Sequence, residues 1–256
     1  MRIAGKVVLI SGASEGIGAA CAGAFRERGA RLSLTARSED KLQAVGGADA
    51  LLTPGDITED AVRARVVERT VAHFGSLDNL INNAGTGLYA PSRDVPLDDV
   101  RRLFELNLFA MVAMVQHVLP HMKSTGGAIV NIGSIAGKMP LPWFTLYSAS
   151  KYAVGAYTDG LRMELAGTGI RTITVCPGYV LTDFQKHSLG GTPPERVLKG
   201  RRFAITAGEC AQAIVRGVER NSRTVVTPAS GWILVALERL VPWLVDRQVA
   251  KINRSI

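Results

Sequence analysis

The chain has 256 residues, 47% of them hydrophobic, enough for the large buried core of one α/β domain. Its net charge is +8, with basic residues spread along the chain and concentrated locally at Lys199, Arg201 and Arg202; without a helix-turn-helix, zinc-finger or aromatic RNA-binding signature, this excludes nucleic acid in favour of an anionic cofactor and ordinary surface charge. Cys21, Cys176 and Cys210 are scattered and form no C-x-x-C, no uncharged apolar run reaches the roughly 18 residues of a spanning helix, and Met1 to Lys6 runs straight into a strand, so a cytoplasmic setting is expected.

Lys6 to Ile10 predicts a short buried strand, followed at once by Ser11-Gly12-Ala13-Ser14-Glu15-Gly16-Ile17-Gly18 and then by a helix over Ala19 to Arg28, ended by Gly29. Strand, glycine turn and helix form the context in which backbone N–H groups receive a pyrophosphate. The spacing is G-x-x-x-G-x-G, not the commoner G-x-G-x-x-G. A second strand, Arg31 to Thr35, ends in Ala36-Arg37-Ser38. No carboxylate stands there to take a ribose 2′-hydroxyl, and Arg37 suits a 2′-phosphate, so NADP(H) is expected in preference to NAD(H). Glu39 and Asp40 fit the acidic start of a helix. Leu51 to Ile57 reads as a third strand leaving into a loop; Asp56 could accept from an adenine amino group or serve as a cap. A helix over Ala61 to Phe74 and a strand over Leu77 to Ile81 follow. The strand ends in Asn82-Asn83-Ala84-Gly85, which could line a cofactor or bridge strands.

Leu97 to His121 predicts one long helix with Asn107 inside it, at a propensity cost. Asn107 could face water or hold a water beside Lys151. His117 and His121 share a face, but with Pro120 between them and no third ligand no metal site is expected. Ala128 to Gly133 reads as a buried strand closed by Ser134. Thirteen residues on, Tyr147-Ser148-Ala149-Ser150-Lys151 places a phenol and an ammonium at i and i+4, on one helix face. The ammonium is expected to lower the tyrosine pKa, and Ser134 to hold a carbonyl oxygen beside the phenol. A further strand, Ile170 to Cys176, is stopped by Pro177-Gly178. The stretch 183–203 reads as a loose connection or a lid. Thr206-Ala207-Gly208-Glu209 reads as a capping box opening a helix to Arg220, and Thr224 to Thr227 as the last strand. Alternating strands and helices predict a single-domain α/β protein, a Rossmann-like doubly wound parallel sheet with helices on both faces.

Taken together, these residues resemble the short-chain dehydrogenase/reductase family of the NADP-preferring type, over about residues 4 to 230. The signatures Gly12-x-x-x-Gly16-x-Gly18, Asn82-Asn83-Ala84-Gly85, Ser134 with Tyr147-x-x-x-Lys151, and Pro177-Gly178 occur in the family's order. The resemblance implies about seven strands and an NADP(H)-dependent oxidoreductase moving a hydride between a nicotinamide and a carbonyl or alcohol carbon. Tyr147 would be the general acid/base, Lys151 would lower its pKa and hold the nicotinamide ribose, Ser134 would orient the substrate oxygen, and Asn107 would keep a relay water. The cofactor-binding set would be Gly12, Ser14, Glu15, Gly16, Ile17, Gly18, Arg37, Ser38, Asp56, Ile57, Asn83, Ala84, Gly85, Tyr147, Lys151, Pro177, Gly178, Val180 and Thr182. Glu15 departs from the family pattern, standing where NADP binders often carry a base. The alternative is an NADP(H)-binding sensor or scaffold of the same fold, whose mark would be a damaged catalytic set; here the set is intact.

Met139 to Phe144, with Leu88, Tyr89 and Tyr179, reads as an apolar wall, so the expected substrate is a small hydrophobic carbonyl or alcohol. Residues 231–256 hold two apolar runs, Trp232 to Leu237 and Leu240 to Val245, separated by charge and followed by Asp246, Arg247, Lys251 and Arg254. They are expected to cap the pocket and pack against a sister subunit in a homodimer or homotetramer, with peripheral membrane contact as the alternative.

Overall fold

The computed structural model describes residues 1–122, 126–191 and 203–253. Seven strands build the central sheet: β1 (Val7–Ser11), β2 (Arg31–Thr35), β3 (Leu51–Leu52), β4 (Asn79–Asn82), β5 (Gly127–Ile132), β6 (Ile170–Pro177) and β7 (Thr224–Thr227). Their order is β7-β6-β5-β4-β1-β2-β3, and every neighbouring pair is parallel. Successive side chains on a strand point to opposite faces, so a strand covered on both faces must be apolar throughout. In β1, Val8 and Ile10 enter one core with Phe25, Leu34 and Ile214, while Leu9 enters the other with Leu80, Met114 and Ile129. Helices α1 (Gly16–Arg26), α2 (Glu39–Gly46) and, late in the chain, α7 (Ala207–Arg220) supply the first layer; α3 (Asp60–Phe74), α5 (Ala110–Val118) and α6 (Thr145–Glu164) supply the second.

Three elements differ from the sequence expectation for identifiable reasons. Helix α1 starts at Gly16 rather than Ala19, because the Ala19 N–H already donates to the Glu15 carbonyl at 3.2 Å and takes two poor helix formers, Gly16 and Gly18, into the first turn. The strand predicted over Leu51 to Ile57 shrinks to Leu51–Leu52, and the chain then turns through Pro54-Gly55. The long helix is broken into α4 (Leu97–Phe104), a π-helical turn Glu105–Phe109, α5 and a 3-10 turn Leu119–His121, with Asn107 in the π turn. By length and apolar composition Leu97–His121 meets the requirement for a membrane span. It lies in the sheet's second layer, with Met114, Val115 and Val118 fully buried. The capping box forms as read: the Thr206 hydroxyl accepts from the Glu209 N–H at 3.1 Å, and the Glu209 carboxylate accepts from the Thr206 N–H at 2.7 Å. His117 pairs with Asp60 at 3.0 Å.

Candidate active site

The order of the sheet reverses between β1 and β4, and the carboxyl ends of the flanking strands open there, where doubly wound sheets take their ligands. The glycine turn leaves β1 at this point. Gly12 has φ +65° and Gly16 φ +56°, a region favouring glycine. A Cβ on Gly12 would lie 2.8 Å from Ala84 Cα, and one on Gly18 would strike the Gly12 carbonyl and lie 2.6 Å from Asn83 Nδ2. Gly12 and Gly18 are therefore glycines because the turn folds tightly on itself and on the end of β4. Gly16 instead faces across the cleft, where its added Cβ would meet Thr182 Cγ2 at 3.2 Å.

The structure separates the two roles that the Asn82–Gly85 segment left open. Asn82 Nδ2 donates to Asn131 Oδ1 at 2.9 Å and so ties β4 to β5; Asn131 continues to Thr158 on α6 at 2.9 Å. The Asn83 amide donates to the Ser11 and Gly12 carbonyls at 3.1 and 3.0 Å and fixes the glycine turn. Ala84 and Gly85 bring the backbone to the site, with Lys151 Nζ 3.5 Å from where a Gly85 Cβ would be. Asp56 accepts from the Thr58 N–H and hydroxyl at 2.9 Å each, closing a local turn ahead of α3 rather than capping the helix, whose N-cap is Glu59; Ile57 is buried in the second core.

The catalytic candidates come together at the ends of β5 and β6. Ser134 follows β5, and its Oγ accepts from Ala136 N at 3.1 Å. The turn after it is so close to α6 that a Cβ on Gly137 would lie 2.6 Å from the Lys151 carbonyl. That contact seats the first turns of α6 above the strand end. Tyr147 is hydrogen-bonded to Ser134 through its hydroxyl. Lys151 Nζ lies 5.7 Å from the Tyr147 ring centre and donates to the Ile132 carbonyl at 2.9 Å. Asn107 is 2% exposed; its Oδ1 accepts from Thr86 N at 2.8 Å, and its Nδ2 donates to Thr86 O and Ser150 Oγ at 2.9 and 3.1 Å. Ser150 Oγ in turn donates to the Tyr147 carbonyl at 2.7 Å. Asn107 thus clamps the loop after β4 to helix α6.

Burial sets the protonation of the pair. It pushes the Tyr147 phenol above the ordinary tyrosine range, aided by the neighbouring Tyr89 and opposed by the Ser134 hydrogen bond. The same burial pulls the Lys151 amine down to about 8. The expected lowering of the tyrosine is therefore reversed here, because desolvation is the dominant influence and only the Ser134 hydrogen bond opposes it.

A cleft of about 890 Å³ runs from Glu15 and Gly16 past Thr182 and Asp183 to Tyr89 and Tyr179. Val180 lies on its wall, and Gly178 behind it donates to the Thr227 carbonyl at 2.8 Å. Arg37 and Ser38 follow β2 into the start of α2, Arg37 exposed and Ser38 half-buried. Glu15 is held by Lys41 of α2 at 2.7 Å and by His187 at 3.2 Å. Both partners of Glu15 escaped the sequence reading, as did Thr86 and the role of Ser150. Nothing local announces them, because each meets its partner only through the fold. Of the predicted lid, residues 192–202 lie outside the described residues. The rest is pinned over the site: Leu189–Gly190 pairs with Leu88–Tyr89, and Phe184 lies 6.1 Å from the Tyr147 ring. The apolar wall is divided. Leu88, Tyr89, Met139 and Phe144 are buried, Leu141 and Trp143 are half-buried, and Tyr179 faces the cleft.

A glycine turn at the reversal point of the sheet, facing a buried phenol and amine, places the protein among nucleotide-binding oxidoreductases. Residues 6–190 match the family model described as short chain dehydrogenase. The chain is 32% identical over 257 residues to an 11-beta-hydroxysteroid dehydrogenase-like 2 protein of Arabidopsis thaliana, covering 96% of this chain and 80% of that one. It superposes on a short-chain dehydrogenase of Burkholderia cenocepacia in complex with NADP with a TM-score of 0.83, 29% identity, and coverage of 97% and 99%. A Burkholderia phymatum short chain dehydrogenase/reductase in complex with NAD gives a TM-score of 0.87 at 23% identity, with coverage of 95% and 96%, and so shares the fold. The chain belongs to the short-chain dehydrogenase/reductase family.

Proposed function

We propose that the protein is an NADP(H)-dependent reductase of apolar carbonyl compounds, with Tyr147 as proton donor. The observation that supports the cofactor choice is the charge distribution at the end of β2. No acid stands there, Arg37 is exposed, and the one carboxylate in the glycine turn, Glu15, is already paired with Lys41. The turn fits a dinucleotide: Gly16 faces the cleft and the N-terminal end of α1 opens onto it, a place suited to a pyrophosphate. Arg37, Ser38 and Lys41 would hold the 2′-phosphate, Asp56 and Ile57 the adenine end, and Ala84, Gly85, Lys151, Val180 and Thr182 the nicotinamide end. When bound, the nicotinamide supplies the hydride.

This chain's own residues handle the proton. A phenol kept neutral by burial holds the hydrogen that a carbonyl oxygen needs, and Ser134 shares its hydrogen bond and can orient the same oxygen. Lys151 places positive charge beside the phenol as it gives up that proton. The half-buried Leu141 and Trp143, with Tyr179 at the cleft, support an apolar substrate, as does the steroid-related name of the Arabidopsis relative. The test is direct binding of NADPH and NADH to the unmodified protein and to Arg37→Ala and Lys41→Ala. NADPH should bind at least tenfold more tightly than NADH, and each substitution should narrow the ratio. Equal binding by the unmodified protein, or an unchanged ratio in both variants, refutes the proposal.

A further inference from the structure

After β7 the chain forms two short helices, α8 (Gly231–Leu240) and α9 (Pro242–Asn253), which pack on each other. They touch the body through Gly231, set against Val226 and Ile135, and through the buried Val235. None of the cleft's described lining residues belongs to them. Of the thirteen exposed large hydrophobic residues among those described, seven lie between Trp232 and Leu244. Leu240 is 79% exposed and Trp243 is 64% exposed.

The arrangement is an amphipathic pair turned inside out. At 3.6 residues per turn, Trp232, Ile233, Ala236, Leu237 and Leu240 occupy an arc of about 140° on α8, and all are exposed. Val235 points the other way, into the body. On α9 the exposed Trp243 and Leu244 share an arc of about 100° with Arg247 and Lys251. The acids are placed differently. Glu238 lies about 170° from the centre of the apolar arc, near Tyr152 of α6 and near Asp246. Apolar side chains and cations thus share the outward side, while the carboxylates are turned off it.

We propose that the α8–α9 hairpin seats the protein on an anionic phospholipid surface, its tip around Leu240 and Trp243 in the acyl boundary and Arg247 and Lys251 among the headgroups. Charge placement chooses this occupant over a second copy. A twofold contact through the same patch would bring Arg247 and Lys251 near their own counterparts, whereas anionic headgroups neutralise both. The break at Val241 and the lengths of the two helices fit a segment lying in the interface, since neither helix is long enough to span. The net charge of +8 adds a general attraction to the same surface.

The experiment is co-sedimentation of the full chain with vesicles of phosphatidylcholine alone and of phosphatidylcholine with about a third phosphatidylserine, with sizing at matched concentration. The unmodified protein should partition to the anionic vesicles and be released by salt. The double substitution Leu240→Ser/Trp243→Ser should abolish partition and leave turnover of a soluble substrate unchanged. Arg247→Gln/Lys251→Gln should weaken it about 25-fold, at roughly fivefold per cation. This second pair lies on an exposed face and keeps the test valid should the first variant misfold. Absence of vesicle binding by the unmodified protein, or equal binding to both compositions, overturns the proposal. So does conversion of an oligomer to a monomer by the apolar substitutions without any vesicle binding, which would assign the patch to a second copy.

Discussion

Replacing Lys151 with methionine should make the protein without cofactor more stable at pH 7 while destroying its activity. The amine is 6% exposed as part of its residue, and burial pulls its pKa from 10.5 down to about 8. At 1.36 kcal/mol for each pKa unit, that gap corresponds to about 3 kcal/mol of stability withheld while the amine is protonated. Removing the lysine also removes its 2.9 Å hydrogen bond to the Ile132 carbonyl, worth about 1 kcal/mol. The expected net gain at pH 7 is about 1–2 kcal/mol, or roughly 2–6 °C in Tm for a chain of this size. The pH dependence is the sharper signature. The unfolded lysine keeps its proton up to about 10.5, while the folded one loses it through about 8. Between those values the unfolded state binds more protons, so the unmodified protein gains stability with rising pH, and that gain is lost as pH falls through about 8. Methionine has no such term. Urea unfolding of both proteins at equal concentration from pH 7 to pH 10 should show the difference shrinking by about 2 kcal/mol or more. A difference that stays constant across that range would refute the reasoning, because it would mean the amine is not displaced by burial.

Two further substitutions test the phenol and the turn. Tyr147→Phe keeps the ring against Phe184 and removes only the hydroxyl, so turnover should fall at least 100-fold with nucleotide affinity nearly unchanged; titration calorimetry beside steady-state rates checks both, and retention of more than about a tenth of the rate would contradict the donor role. Gly18→Ala drives a methyl against the Gly12 carbonyl and the Asn83 amide, so a loss of about 2–4 kcal/mol and roughly 5–12 °C in Tm is expected, with weakened nucleotide binding. Gly23→Ala, in the same helix with nothing within 4 Å of an added Cβ, should be neutral or mildly stabilising, and equal effects at the two glycines would sink the steric account.

What the sequence made legible was local. Tyr147 and Lys151 could be placed together because i and i+4 share a helix face, and the strands of the sheet could be found because runs such as Val7 to Ile10 are apolar on both faces. Thr206 and Glu209 announced their helix because a capping box lies within four residues. What escaped depends on distant parts of the chain. The π turn at Asn107 is fixed by hydrogen bonds to Thr86 and Ser150, 21 and 43 residues away. Lys41 and His187 meet Glu15 only because α2 and the segment after β6 converge on the glycine turn. No periodicity carries that information. The tyrosine pKa was misread for a related reason: spacing reports the ammonium neighbour but not the depth of the pocket, and depth decides the direction.

That depth also accounts for the chemistry the site can do. A phenol and an amine buried side by side are both driven toward their neutral forms, the phenol upward and the amine downward to about 8. Near neutral pH the resting site therefore holds a protonated donor and a cation that is easily discharged, with little water to compete for either proton. Giving the phenolic proton to a carbonyl oxygen creates a phenolate, and the ammonium that was costly beforehand becomes its counter-charge at that moment. The stability withheld by burying Lys151 is thus recovered in part as the transition state is reached. In the proposed reaction Ser134 would share the reacting proton, while Asn107, through Ser150 and the Tyr147 carbonyl, holds the helix that carries both groups above β5. Strand ends, π turn and glycine-free first turn of α6 serve a single geometric requirement, which is to hold two mutually stabilising charges in a place where neither is stable alone.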